Sequence, residues 1–378
     1  MPHDAVIAGA AESPYARHPP AGTTTELLLA DAFRRALANA GVERRDVDGL
    51  GVASFTLTPD HAIDLAWRLG LRLRWLMEDS NGGASGLNLL QHAVAALERG
   101  EATTIVLLAG DHFAEGDFER LVNGYNRATR DHLVPIPFGG PNAQFALLTQ
   151  RHMEARSLTR ADYGRIPVAQ RAWASLNPGA VYREPLTIEE YLSAPIVADP
   201  LGRYDCVPVV SGADAVVVSA AQGGRSVRVQ AFRAVYNHDD QDGNGLELGL
   251  AELAAGLWDE AGFGPHEVDL ASVYDDYPAM ALIQLSELGL VPDGEERRFM
   301  ERLGRERFPL NTSGGQLSAG QAGAAGGLHG LVEAVAQLRG EAGARQVEGA
   351  SRALVSGYGM VLYRYGACAN VAVLEATA

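Results

Sequence analysis

The sequence predicts a duplicated α/β protein, each half a series of alternating strands and helices, and three internal correspondences carry that reading. The first is a helix. Leu29, Phe33, Ala36, Leu37 and Ala40 lie on one face at helical spacing and Gly41 ends the run; 221 residues further on, Leu250, Ala254, Leu257, Trp258 and Ala261 take the same places and Gly262 ends it. The second is the turn that follows. Asp46-Val47-Asp48 and Glu267-Val268-Asp269 each lead into an apolar strand. The third is a longer helix. "HAVAALERGEA", ending at Ala102, resembles "VEAVAQLRGEA", ending at Ala342. Each follows a Gly/Ser-rich turn and precedes an apolar strand, Ile105–Leu108 in one case and Ala353–Val355 in the other.

Taken in order, the first helix starts at a capping box formed by Thr23 and Glu26. The stretch from Ser80 to Ala102 is a glycine-rich turn feeding an apolar helix that stops at Gly100. Residues from about 112 to 200 have no counterpart of similar length in the second half. They are rich in Pro, Tyr and Arg, with short helices such as Thr187–Leu192, and form an inserted loop region, either a cover over a site or a surface elaboration. The strands Ala215–Ser219 and Val227–Ala231 bracket Gly223-Gly224-Arg225, which sets the halves at 1–224 and 225–378. A final strand, Asn370–Leu374, closes the chain.

Composition excludes several functions. A chain of 378 residues with 47% apolar and 21% charged residues can bury a large core. Its formal charge of −16 argues against nucleic acid or an anionic membrane surface as partner. No run of 18 apolar residues exists and Met1–Gly9 lacks the form of a signal peptide, so a cytoplasmic protein is expected. Cys206 and Cys368 are the only cysteines and read as small core residues, and His112, His132 and His329 have no metal-ligand spacing. The segment Asn237–Gly245 has acidic residues but lacks the glutamate that closes a calcium loop. All 31 basic residues are arginine. Without a lysine amine, Schiff-base chemistry on a side chain is excluded.

The turn "SNGGASG" presents its residues at a helix N-terminus, where a nucleophile would be activated, yet the expected position of that nucleophile is Gly83. With "VIAGAAESPYAR", "ELLLADAFRRALANAGVERRDVDGL", "PLGRYDCVPVVSGADAVVV", "SVYDDYP", "NTSGG" and "GQAGAAGG", it resembles the thiolase superfamily, in its lipid-transfer-protein-like branch, over nearly the whole chain. The resemblance implies a duplicated thiolase fold in five layers, α-β-α-β-α, that dimerises through edge strands of the first half.

The departures from that pattern fall on the catalytic positions. Gly83 stands where the family has its acylated cysteine, Gln321 where it has the histidine of Gly-His-Pro, and Tyr274 where the branch has another histidine. Tyr358, in "SGYGM", stands near the second cysteine's turn. What remains is a cradle for a thioester, expected to comprise Gly83, Ala84, Ser85, Asn311, Ser313, Gly314 and Gln321. A site that can hold a thioester enolate but cannot be acylated suits retro-aldol cleavage of a β-hydroxyacyl-CoA, giving a ketone or aldehyde and a shorter acyl-CoA. Tyr274 and Tyr358 are the candidate proton carriers. In an extended segment Asp276 shares a face with Tyr274 while Asp275 points the other way. The resemblance to the steroid side-chain-cleaving aldolases of this branch implies the same chemistry, no cofactor or metal in this chain, and a DUF35-type partner with an OB-fold and zinc ribbon that would hold any zinc. Two other readings stay open: an inactive acyl-CoA-binding subunit of a complex, and a Claisen-type acyltransferase using Cys206 as a displaced nucleophile.

Overall fold

The computed structural model describes residues 5–136, 138, 140–220, 225–239, 242–306, 308–362 and 365–377. The first half runs β1 (Val6–Glu12), α1 (Thr25–Ala40), β2 (Gly49–Ala53), α2 (Ala62–Leu69), β3 (Trp75–Glu78), α3 (Ser85–Glu98) and β4 (Thr104–Asp111). An intervening segment holds α4 (Asp117–Asn123), α5 (Gly140–Arg156), α6 (Arg160–Ala174), α7 (Ile188–Ser193) and the short ribbon β5 (Ile196–Ala198) and β6 (Leu201–Gly202), after which β7 (Gly212–Ser219) returns to the sheet. The remainder is β8 (Val227–Tyr236), α8 (Leu250–Ala261), β9 (Leu270–Val273), α9 (Pro278–Glu287), α10 (Glu296–Glu306), α11 (Gly315–Ala319), α12 (Gly326–Leu338), β10 (Arg352–Leu362) and β11 (Tyr365–Ala376).

Nine strands pair in the order β3-β2-β4-β7-β1-β8-β11-β10-β9. The order β2-β4-β7-β1 is mirrored by β9-β10-β11-β8, and the strand senses agree. β2 and β4 are parallel, as are β9 and β10; the remaining neighbours in both sets are antiparallel. β1 and β8 join the two sets through Val6↔Arg228 and Ile7↔Val227. β3 is the extra strand at one edge.

Strand alternation builds the layers. In β4, Val106 and Leu108 pack with Leu29, Phe33 and Leu37 of α1, while Ile105 and Leu107 pack with Leu87, Leu90 and Val94 of α3 and Leu328 and Val332 of α12. In β10, Ala353 and Val355 face that same central helix pair, and Leu354 and Tyr358 face the cluster containing Leu250 and Leu257 of α8 and Leu282 of α9. Helices, strands, the α3–α12 pair, strands and helices thus form five layers. Each fully buried Leu, Val or Ile contributes about 1.5–3 kcal/mol, so strands buried on both faces are the stable centre.

The predicted elements are present, with one shift at a cap. Thr24, not Thr23, caps α1: its backbone is extended and its side chain accepts from the Leu27 N–H. Thr23 is used in the preceding turn, donating to the Pro20 carbonyl, which leaves Thr24 as the last extended residue. Thr187 caps α7 in a capping box with Glu190. The predicted boundary glycines Gly223 and Gly224 lie outside the described residues. So does part of the acidic segment near Asn237. Among the described residues no helix is long and apolar enough to cross a membrane.

Candidate active site

The N-terminal ends of α3 and α12 meet beneath one cleft. Each is preceded by a one-turn 3₁₀ segment, Gly82–Ala84 and Gly323–Ala325, and the first residue of each turn has φ +58°. The two helices approach too closely for side chains at the contact: a β-carbon on Gly86 would lie 2.0 Å from the Gly327 carbonyl oxygen. Gly83 is bounded from the other side. A β-carbon there would lie 2.3 Å from Cε2 and 2.4 Å from Cζ of Tyr274. The ring of Tyr274 therefore occupies the space into which a side chain at position 83 would project.

Tyr274 follows β9 directly. Its N–H donates to the Ser356 carbonyl, and its carbonyl accepts from Gln284 Nε2 at 2.7 Å. Its ring lies edge-on to that of Tyr358, with centroids 5.1 Å apart. Tyr274 Oη accepts from Gln321 Nε2 at 2.8 Å. Tyr358, on β10, donates its hydroxyl to Asp276 Oδ1. Tyr277 stacks on Phe145 at 4.4 Å between centroids and donates to Asn142 Oδ1 at 2.7 Å. The cleft they border holds about 430 Å³. Its remaining walls are largely apolar, with Phe55, Phe118, Leu121, Val122, Tyr125 and Val361 among them.

Burial dominates the electrostatics. It pushes the Asp276 carboxyl up to about 8, with the charge of Asp275 adding to the effect and the Tyr358 hydrogen bond opposing it. Burial and then Asp276 hold Tyr274 and Tyr358 well above the usual phenol range, so both are neutral O–H groups. Asp275 turns away from the cleft. It accepts from Gln170 Nε2 and from the Gln316 N–H, both at 2.9 Å, and burial raises it to about 6.

The expected site residues fall into three groups. Gly83, Gln321, Tyr274 and Asp276 line the cleft, and Tyr358 reaches it through Asp276. Ala84 and Ser85 lie just below, in the first turn entering α3; the Ala84 carbonyl accepts from Asn370 Nδ2. Asn311, Ser313 and Gly314 sit behind the site and make structural contacts. Asn311 brackets Val273, accepting from its N–H and donating to its carbonyl. Ser313 Oγ lies 2.8 Å from His329 Nε2, and Gly314, at φ +103°, caps α11. Cys206 is on the cleft wall, where burial, then Asp205 and Asp276, push its thiol up to about 12. Cys368 is buried in β11.

Some features were not legible from spacing. Tyr125, Asn142 and Phe145 come from the intervening segment, whose sequence shows no period that orients them. Glu12, Asp214 and His329 bring metal-type ligand atoms together from three distant positions. His329 has no metal-ligand spacing in the sequence; only the packing of α12 against β1 and β7 assembles the group. The group satisfies itself, with His329 Nδ1 2.9 Å from Glu12 Oε1 and the Tyr15 hydroxyl donating to Asp214.

Residues 245–374 match the thiolase C-terminal domain-like family. Over 364 residues the chain is 32% identical to 17-hydroxy-3-oxo-4-pregnene-20-carboxyl-CoA lyase of Mycobacterium tuberculosis, covering 89% of this chain and 92% of that protein. The chain belongs to the thiolase superfamily. Within it, the chain stands with the steroid side-chain-cleaving aldolases. It is 28% identical to the enzyme of that name from Thermomonospora curvata, over 90% of this chain and 91% of that one. The solved Ltp2-ChsH2(DUF35) aldolase superposes with a TM-score of 0.83 at 24% identity, covering 100% of this chain and 98% of that one. In this thiolase-superfamily chain the space above Gly83 is taken by a tyrosine ring.

Proposed function

We propose that the chain cleaves β-hydroxyacyl-CoA thioesters by a retro-aldol reaction, releasing a ketone or aldehyde and acetyl- or propionyl-CoA. The observation that carries this reading is the pair of oppositely arranged phenols at the cleft. Tyr358 gives its hydrogen to Asp276, whereas Tyr274 receives one from Gln321. The substrate's β-hydroxyl passes its proton to the Asp276–Tyr358 pair at Asp276, the member that lines the cleft, while the Tyr358 hydroxyl holds that carboxylate. The O–H electron pair forms the C=O bond, the Cα–Cβ bond breaks, and its electrons become the thioester enolate. Tyr274 then protonates the enolate carbon. One proton enters at Asp276 and one leaves at Tyr274, so a proton shift between them resets the site. The paired N-termini of α3 and α12 put the positive ends of two helix dipoles where the enolate oxygen forms.

The largely apolar cleft suits a bulky hydrocarbon acyl group, steroid side chains included, in keeping with the names of the two relatives given above. By the likeness to the Ltp2-ChsH2(DUF35) aldolase we propose a DUF35-type partner; we also propose a homodimer joined at the β3 edge and a division of the chain near residue 224. Acyl transfer through Cys206 is disfavoured by its raised thiol and by the absence of histidine among the described residues lining the cleft. An inactive subunit has no need of two phenols with separate hydrogen-bond partners.

The test is turnover of β-hydroxyacyl-CoA substrates, short-chain to steroid-sized, by the chain with any partner it requires. Tyr274→Phe and Tyr358→Phe are each expected to lower kcat by at least about 10²-fold, the lower end for general acid–base groups. Wild-type rates in both variants would rule out the assignment. Binding without cleavage across all substrates would favour the inactive-subunit reading.

A further inference from the structure

Resting on the retro-aldol reading, the geometry points to Gln321 as the positioning residue that makes Tyr274 a proton donor to the cleft: its amide N–H occupies the phenol oxygen and leaves the phenol's own hydrogen free to be delivered. Gln321 is held on both sides of its backbone. Its N–H donates to the Pro208 carbonyl at 2.9 Å, and its carbonyl accepts from the Val210 N–H at 3.0 Å, so the side chain projects from a fixed point. Its Nε2 lies 2.8 Å from Tyr274 Oη, and among the described residues that oxygen has no other hydrogen-bond partner. A phenol that accepts an N–H keeps its own O–H to give. Tyr358 is the control within the same site, since its hydrogen is committed to Asp276.

The same N–H acts a second time. Once Tyr274 has delivered its proton, a phenolate remains in a buried position beside Asp276. A donor already in place stabilises that charge without reorganisation, and the loss of one such donor typically costs about 10²–10³-fold in rate. Gln321 thus acts on the protonation of the enolate carbon rather than on the breaking of the carbon–carbon bond.

That step can be read without the aldol substrate. In D₂O the native assembly should exchange the α-hydrogens of acetyl- or propionyl-CoA, measured by mass spectrometry. Three variants differ only in what they offer the phenol oxygen. Gln321→His retains an N–H donor and should stay within about tenfold of wild type. Gln321→Met removes it, and exchange should fall by about 10²-fold with little change in KM. Gln321→Glu presents a carboxylate that captures the phenol's hydrogen. It should be the slowest variant at high pH and recover as the pH is lowered and Glu protonates into a donor. The other titratable groups on this cleft are Glu119, Tyr125, Cys206, Asp276 and Tyr277, with Asp275 behind; all are present in wild type, so the recovery is read as the difference between the Glu and wild-type profiles. Near-wild-type exchange by both Met and Glu variants overturns the role of Gln321, as does a Glu variant that outperforms Met at high pH, which would mean that the amide oxygen faces the phenol. A wild-type assembly that exchanges α-hydrogens but cleaves no β-hydroxyacyl-CoA removes the retro-aldol reading and leaves the role of Gln321 standing. The absence of any exchange in wild type removes both.

Discussion

Position 83 illustrates how one residue can be dictated by another far away in sequence. A side chain at Gly83 competes for volume with the Tyr274 ring and the Tyr358 carbonyl oxygen, a would-be β-carbon lying 2.3 Å from the ring and 2.4 Å from that oxygen. Gly83→Ala should therefore destabilise the fold by about 1–3 kcal/mol, the usual cost of overpacking a tight site, and displace Tyr274 enough to slow turnover. Gly83→Cys should not restore an acyl-enzyme, because the thiol would enter occupied space with no histidine among the described residues of the cleft to activate it. In a Gly83→Ala/Tyr274→Ala double variant the stability cost should be smaller than the sum of the two single costs. Thermal unfolding of the four proteins decides this; strict additivity would show that the two positions do not share space. Asp276 sets a second expectation at this scale. Its carboxyl, raised to about 8, takes up the substrate's proton only when ionised, so kcat/KM should rise with pH and level off above about 8. Asp276→Asn should be slow and lack that rising limb; a flat wild-type profile between pH 6 and 9 would refute that transfer.

Among the elements, α12 has two tasks. Its N-terminal turn faces the cleft beside α3, and one turn further along His329 anchors it to β1 and β7. Burial opposes the charged imidazole, but the Glu12 carboxylate, with Asp214 and Asp275 nearby, outweighs it and raises His329 to about 9. A histidine raised in the folded state contributes stability that is fully present below its unfolded value of about 6.5 and is lost as the pH rises through 9. The melting temperature should therefore decline between pH 6.5 and 9. His329→Gln should melt lower at pH 6 and show a shallower decline, which differential scanning fluorimetry across that range would reveal. The intervening helices are the other decisive elements. Phe145 of α5 braces Tyr277, and Asn126 Nδ2 donates to the Val361 carbonyl at 2.8 Å, tying this segment to the end of β10. Of the two readings left open for this insertion, these contacts favour the cover over the cleft.

For the whole molecule, β3 ends the sheet with its outer edge unpaired among the described residues, and Leu76 on that strand is 40% exposed. Trp67 of neighbouring α2 is 81% exposed and Ile63 is 60% exposed. An uncovered edge strand with apolar neighbours favours pairing with another chain. The expected mass in solution is at least that of a dimer, about twice the 40.1 kDa chain. Leu76→Lys should shift the assembly toward monomer in light scattering at micromolar concentration. A wild-type chain that is monomeric under those conditions would count against the β3 interface.

The sequence by itself determined the repeated strand–helix order, the five layers implied by its family likeness, and the tyrosines at 274 and 358 that the fold brings together. These are local or periodic properties: alternation sets strand faces, helical spacing sets α1 and α8, and a glycine-rich turn marks each central helix. Even the opposite facing of Asp275 and Asp276 followed from extended geometry. Tertiary structure alone decided what each polar group touches. Asn311, Ser313 and Gly314 belong to a turn that resembles a binding loop, yet their hydrogen bonds face inward and hold β9 and α12 in place. Gln321 and Tyr274 are 47 residues apart and meet because a bridge to Val209 and the end of β9 converge at the cleft. Glu12, Asp214 and His329 likewise assemble only where α12 crosses β1 and β7. A side-chain hydrogen bond depends on distances of a few tenths of an ångström between segments far apart in the chain, and no spacing rule carries that information.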